Sequence, residues 1–377
     1  MALTGDKVGI PEAEEAPVVV MPRFKQPIAG LISLIYIFII SIIVWWIPML
    51  IGTTYVGNVA FFSLLGGFGL MAVLFAIWFE NWPSYKLKTP WKVGILGTII
   101  NVVTAFILVY IATFYALTFH GSDAMSLYVG TAIFGALSGS CFSVGVLWVA
   151  GTMYWPFFDK KQPTRGIIVF IIGWIFTLGF WFLFFFPTGS GAVLDLLAYG
   201  TALGWTQWTI FFSLLTLMTF EYWPWNKLGS QPKIGIAAFI VCLILGYVFV
   251  IAGGYIAGFI YVPIALALGW TGDLATGIGF MNVALADWLI FGIIVVSLFM
   301  DNWPKGYSQE KNFLIRLIVV IVIAEIFFWG YYFVSPFLGG TGNPFNDSPT
   351  AFLLVLLWIQ LLFAYIWRKW PIYTEMK

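Results

Sequence analysis

Charge is what this chain has least of. Lys, Arg, Asp and Glu together make up 9% of its 377 residues, while 62% are hydrophobic. A soluble domain carries about a quarter charged residues. This chain cannot coat its surface for water, so its solvent is lipid. The net charge of +1 provides no basic field, which excludes nucleic acid as a partner. A single histidine, His120, excludes bis-His haem ligation within the membrane. The only cysteines, Cys141 and Cys242, both fall inside apolar runs. Neither a disulfide framework nor a Cys-rich metal centre follows from them. H-E-x-x-H, G-x-S-x-G and P-loop patterns are missing. So are an Arg-rich span and a T-V-G-Y-G filter, which excludes a voltage sensor and a potassium-type pore. No enzyme active site, metal or cofactor is expected.

Long apolar runs fill the space that these absences leave. Ten of them reach spanning length, at 28–50, 58–79, 92–118, 126–154, 166–187, 193–221, 234–260, 273–300, 313–335 and 349–369. Only helices and closed barrels satisfy the backbone in lipid. These runs are too long and too continuously apolar for barrel strands. The expected fold is all-α, a polytopic membrane helical bundle of about ten helices. Residues 1–27, acidic at Asp6, Glu12, Glu14 and Glu15 and lacking an apolar stretch, read as a mobile cytoplasmic tail and not as a signal peptide. Residues 28–371 form one transmembrane domain, and 372–377 a cytoplasmic tail.

One phrase recurs. Trp-Pro closes an apolar run at Trp82-Pro83, Trp155-Pro156, Trp223-Pro224, Trp303-Pro304 and Trp370-Pro371, roughly every 70–80 residues. Trp prefers the headgroup level and Pro cannot continue a helix, so the pair stops every second helix at one interface. All 17 Lys and Arg lie on that side, and the alternate turns carry His120, Asp123, Asp195, Asp273 and Asp347 instead. The positive-inside rule puts this side, and both termini, in the cytoplasm. Glu80, Glu221 and Asp301 stand at these helix ends, where the helix dipole disfavours them. They are expected to pair with Lys86, Lys227 and Lys305. The spacing suggests two-helix units. A five-plus-five inverted repeat, a common transporter plan, is the alternative.

Asp287 and Glu325 are carboxylates deep within apolar runs. Counted from Asp301 and Asn312, each stands roughly 20 Å into a ~30 Å core. Burying a charged acid there costs at least ~2.5 kcal/mol. Proton carriage, a bound cation or a water-filled cavity would relieve that cost. If the two acids touch, they titrate as a coupled pair. Gln207 shares their level, counted from Glu221. Asn282 precedes Asp287 on the same run, as do Gly277 and Gly279, the best candidates for a helix interruption. Trp205, Trp208 and Trp288 flank the polar level and are candidates for lining a cavity. The plain alternative for each amide, glycine and indole is packing or interhelical bonding.

The function these features imply is a secondary active transporter, a permease of the cytoplasmic membrane coupled to protons or sodium through midplane carboxylates. The competing expectation is a non-catalytic membrane subunit or scaffold; a membrane enzyme and a channel follow. The expected partners are the lipid bilayer and a small-molecule or ion substrate, with a homo-oligomer or a larger membrane complex left open.

Overall fold

Uninterrupted apolar sequence becomes uninterrupted helix because lipid offers the backbone no other partner. The computed structural model describes residues 20–186, 199–343, 347 and 349–375. Asp195, most of the N-terminal tail and a glycosylation-type triplet at Asn346 and Ser348 lie outside them. Among the described residues there are ten α-helices: α1 (Ile28–Leu50), α2 (Tyr55–Trp78), α3 (Pro90–Phe119), α4 (Ala124–Val146), α5 (Thr164–Phe184), α6 (Tyr199–Leu214), α7 (Lys233–Ala267), α8 (Leu274–Ile294), α9 (Gln309–Val334) and α10 (Pro349–Leu361). Eight of these segments are long and apolar enough to cross a membrane; those containing α6 and α10 are the others. The chain is an all-α helical membrane bundle.

The helices sort into two shells. Each of α2, α4, α6, α8 and α10 packs against the next, and α10 returns to α2, so the even helices close a five-membered ring. The odd helices lie around it: α1 on α10, α3 between α2 and α4, α5 on α4, α7 between α6 and α8, and α9 on α8. Burial follows the shells. In their most apolar windows 89% of α8 is buried, but only 22% of α3 and of α5.

The Trp-Pro phrase belongs to a larger joint. Four ring helices loosen into a π-turn before it, at Leu147–Gly151, Leu215–Thr219, Val295–Phe299 and Leu362–Ile366. In all five units two consecutive non-glycine residues then adopt positive φ: Glu80-Asn81, Met153-Tyr154, Glu221-Tyr222, Asp301-Asn302 and Arg368-Lys369. Left-handed residues at a helix end fold the chain back so that its N–H groups satisfy orphaned carbonyls. Here Tyr222 N donates to Thr216 O at 3.0 Å, Asn302 N to Val296 O at 2.9 Å and Lys369 N to Phe363 O at 2.8 Å. All five Trp-Pro bonds are cis.

A second device starts the odd helices. Gln26-Pro27-x-x-Gly30, Gln162-Pro163-x-x-Gly166 and Gln231-Pro232-x-x-Gly235 share one pattern. Each glutamine accepts from the backbone N–H of its glycine with Oε1. Its Nε2 donates to the end of a ring helix: Gln26 to Phe299 O at 2.9 Å, Gln162 to Trp78 O at 3.2 Å and Gln231 to Gly151 O at 2.8 Å. The glycine permits the close approach. A Cβ at Gly30 would stand 2.5 Å from Met300 Cγ, and one at Gly235 would stand 2.6 Å from Thr152 Cγ2. Gln309 repeats the bond to Phe220 O at 2.9 Å, and α3 docks on the α10 end through Trp367 Nε1 to Thr98 Oγ1 at 2.9 Å. Every odd helix therefore starts against the ring helix two hairpins before it, or its circular equivalent. The five hairpins thus follow one another around the ring with the same step. An inverted five-plus-five repeat would map peripheral α1 onto ring α6, at odds with the two shells.

Rotation brings the last unit beside the first. Strand β1 (Val20–Pro22) pairs antiparallel with β2 (Tyr373–Glu375) in the register Val20↔Glu375. Tyr373 Oη donates to Phe299 O at 2.6 Å. Along their described length the terminal segments are thus pinned to the bundle, a correction to the free tails expected from composition.

Of the three helix-end carboxylates, one pairs locally and two pair across the ring. Asp301 does meet Lys305, at 2.7 Å. Glu80 instead pairs with Arg165 at the start of α5, and Glu221 with Arg316 of α9 at 3.5 Å. Lys86 and Lys227 lie over the Trp82 and Trp223 rings, at 5.8 and 5.6 Å. Docking across units carries a cation from two hairpins away closer than the loop cation.

Candidate functional site

Seventeen residues before the five Trp-Pro prolines (83, 156, 224, 304, 371) stand Gly66, Gly139, Gln207, Asp287 and Leu354. The rotation places these in one layer of the ring. Two neighbouring pairs touch directly. A Cβ at Gly66 would be 2.8 Å from Leu354 Cβ, and one at Gly139 would be 3.6 Å from Gln207 Nε2.

Helical geometry assigns the faces, at about 100° per residue. On α8, Asn282 is held by α6 and α7: its Oδ1 accepts from Trp208 Nε1 at 2.9 Å, and its Nδ2 donates to Val250 O at 2.7 Å. Gly292 abuts Val320 of α9, and Phe291 O accepts from Gln360 Nε2 of α10 at 3.4 Å. The direction left over holds Val283, Asp287, Ile290 and Ile294, facing the ring axis. On α6, Thr206 abuts Gly139 of α4, Thr209 abuts Gly246 of α7, and Trp208 reaches α8. Leu203, Gln207 and Leu214 remain for the axis. On α2, Gly66 and Gly69 meet α10 and Gly67 meets Ser138 of α4, leaving Ser63 and Leu70.

Burial along this axis is graded. Ser63 is exposed and Gln207 half-buried; Asp287 is 3% exposed. Toward the Trp-Pro face the axial positions Leu70, Leu214 and Ile294 are buried. Among the described residues neither Asp287 nor Gln207 makes a hydrogen bond. An unpaired carboxyl on the inward face of the ring can take up and release a proton or hold a cation.

Asp287 and Glu325 are not brought together. Glu325 belongs to the peripheral shell, where Tyr261 Oη of α7 donates to Oε1 at 2.7 Å and Trp329 Nε1 to Oε2 at 3.1 Å. Equal depth on consecutive helices did not mean one site, because α8 lies in the ring and α9 outside it. Asn282 is an interhelical fastener. Asn101 repeats its role, accepting from Trp358 Nε1 at 2.7 Å and donating to Gly69 O at 3.2 Å. Gly277 and Gly279 interrupt nothing, since α8 runs unbroken from Leu274 to Ile294. Trp205 sits among Phe180, Phe184 and Tyr247 and donates to Leu243 O at 2.8 Å. Trp208 and Trp288 are each 1% exposed and packed on Phe249 and Phe328 respectively. These indoles fill helix seams. No group of three or more potential metal-ligating side chains occurs among the described residues. A separate cavity of about 110 Å³, lined by Phe75, Asn101, Thr104 and Ile366, lies between α2 and α3, outside the ring.

The Gln-Pro-x-x-Gly joints at Gln26, Gln162 and Gln231 are visible in the sequence as a repeated pattern, but the pattern does not say which ring helix each glutamine meets. The axial layer needed only the count back from each proline, but glycine and leucine at three of its five positions hid the equivalence. Comparison with protein-family models, curated proteins and solved structures finds no match to this chain.

Proposed function

We propose that this protein is a secondary active transporter of the cytoplasmic membrane. All ten helices cross the bilayer, with the Trp-Pro face and both termini on the cytoplasmic side, where the positive-inside rule puts every Lys and Arg. Asp287 carries the coupling ion. The observation behind this reading is an unbonded, 3%-exposed carboxyl on the ring axis, where an unpaired anion costs at least about 2.5 kcal/mol. A group that serves only to hold helices together has no reason to remain unbonded there. Glu325, with both oxygens bonded, fastens α9 to α7.

The test is flux in proteoliposomes under an imposed proton or sodium gradient, read with an entrapped ion-sensitive dye and a panel of small solutes. Asp287→Asn is expected to remove gradient-driven flux, and Glu325→Gln to leave most of it. Undiminished flux in Asp287→Asn would sink the assignment.

A scaffold or non-transporting subunit is the second reading. It is favoured by Asn282, Asn101 and Glu325, all of them polar groups satisfied by neighbouring helices. Under it, no gradient drives flux in any variant, and the protein co-purifies with membrane partners.

A further inference from the structure

Resting on that reading, we infer that the coupling ion is the proton, and that it reaches Asp287 along the ring axis from the face opposite the Trp-Pro turns. The layer decides between proton and sodium. Its five positions are Gly66, Gly139, Gln207, Asp287 and Leu354, so its side chains supply one carboxylate and one carboxamide. Dehydrated metal cations need about six oxygens. Transporter sodium sites recruit the missing ones from the carbonyls of discontinuous helices. Both helices bearing the polar pair are continuous through this level, α6 over Tyr199–Leu214 and α8 over Leu274–Ile294, so their carbonyls are committed to the helix. Ser138 Oγ, next to the layer, donates to Gly135 O at 2.9 Å within its own helix. A proton needs no oxygen cage, only the carboxylate and a path of water.

The path has an open and a closed end. Ser63, on the axial face of α2 one turn before Gly66, is exposed, whereas the axial residues Leu70, Leu214 and Ile294 on the other side of the layer are buried. The proton passes from water at the Ser63 mouth to Asp287 Oδ, converting carboxylate to carboxylic acid. It leaves as a proton when the leucine–isoleucine layer parts. Titratable side chains on the surrounding helices include Tyr36 on α1, Tyr55 on α2, Cys141 on α4, Cys242, Tyr247, Tyr255 and Tyr261 on α7, and Glu325, Tyr331 and Tyr332 on α9. Arg316 of α9 stays at the Trp-Pro end, bonded to Thr219 O and Pro304 O. None of these is hydrogen-bonded to Asp287.

Two measurements test this on the full-length protein. Infrared difference spectroscopy of reconstituted membranes is expected to show a protonated-carboxyl band. The band should disappear in Asp287→Asn, vary with pH, and stay unchanged when sodium replaces potassium. A band that follows sodium at constant pH would overturn the proton assignment. In the second, Ser63→Cys is treated with a membrane-impermeant cationic thiol reagent in intact cells and in inverted vesicles. Cys141 and Cys242 are buried and serve as the unreactive background. Labelling is expected at least tenfold faster in intact cells, with Leu70→Cys unlabelled in both. Equal labelling, or faster labelling in inverted vesicles, would overturn the axial route. Neither readout needs a substrate. A band with these properties in a protein without gradient-driven flux would refute the transporter reading alone, and flux with a sodium-dependent band would refute this inference alone.

Discussion

Replacing Asn282 with leucine separates a fastener from a ligand. The side chain keeps its size and loses both interhelical bonds, the one from Trp208 Nε1 at 2.9 Å and the one to Val250 O at 2.7 Å. Interhelical hydrogen bonds in membranes contribute about 0.6 kcal/mol on average and up to about 1.7. Two of them amount to roughly 1–3 kcal/mol, the upper part applying because Trp208 Nε1 is left buried with no acceptor. In a chain of this size that corresponds to a fall in Tm of about 1–4 °C in detergent. The bonds join α8 to α6 and α7, so the loss appears as looser packing of three helices, while the axial face carrying Asp287 keeps its residues. Gradient-driven flux is therefore expected to stay within about threefold of wild type. A double-mutant cycle with Trp208→Phe is expected to show a coupling of about 0.6–1.7 kcal/mol. The opposite pattern, unchanged Tm with abolished flux, would refute the fastener assignment and return Asn282 to the site. Asn101→Leu provides the internal comparison, since the same Trp–Asn–carbonyl arrangement joins α3, α10 and α2 away from α8 and Asp287.

Other outcomes follow from the same geometry. Arg316→Met removes a 1%-exposed guanidinium bonded to Thr219 O at 2.8 Å and is expected to cost about 2–3 kcal/mol; Lys305→Met breaks an exposed pair and should change Tm by the equivalent of less than about 1 kcal/mol. Gly69→Ala drives a methyl into the Trp358 ring and is expected to destabilise by about 1–3 kcal/mol. Gly279→Ala meets nothing within 4 Å and is expected to be neutral, or stabilising by up to about 1 kcal/mol from helix propensity. Burial, with a smaller contribution from the Asp301 charge, raises Tyr373 from its ordinary value near 10 to about 12. The folded state thus favours the protonated phenol. The stability it contributes is complete below about pH 10 and is lost as pH rises toward 12. Tyr373→Phe, which has no ionisable hydroxyl, is expected to flatten that alkaline limb in a thermal-shift series.

How much was legible depended on whether a signal was local. Low charge, apolar runs and Trp-Pro stops are properties of ten or twenty consecutive residues, and they determined a helical membrane bundle with helix positions close to those observed. The one-sided Lys and Arg gave the common face of the five Trp-Pro ends, because lipid forces charge to the helix ends whatever the packing. Counted from those ends, Gln207 and Asp287 stand at the same position, 17 residues before Pro224 and Pro304. What no local signal contained was the lateral order of the helices. Depth along a span is fixed by a rise of about 1.5 Å per residue, but direction around it is fixed only by neighbours. Glu325 and Asp287 share a depth and differ in shell, so one is capped by Tyr261 and Trp329 while the other is left unbonded on the axis. Glu80 and Glu221 found Arg165 and Arg316 because rotation about the ring brings a helix from two hairpins away to their side. The sequence by itself determined a helical membrane bundle and where its helices fall; the closed ring alone decided which groups face one another, since that depends on five interfaces between segments far apart in the chain.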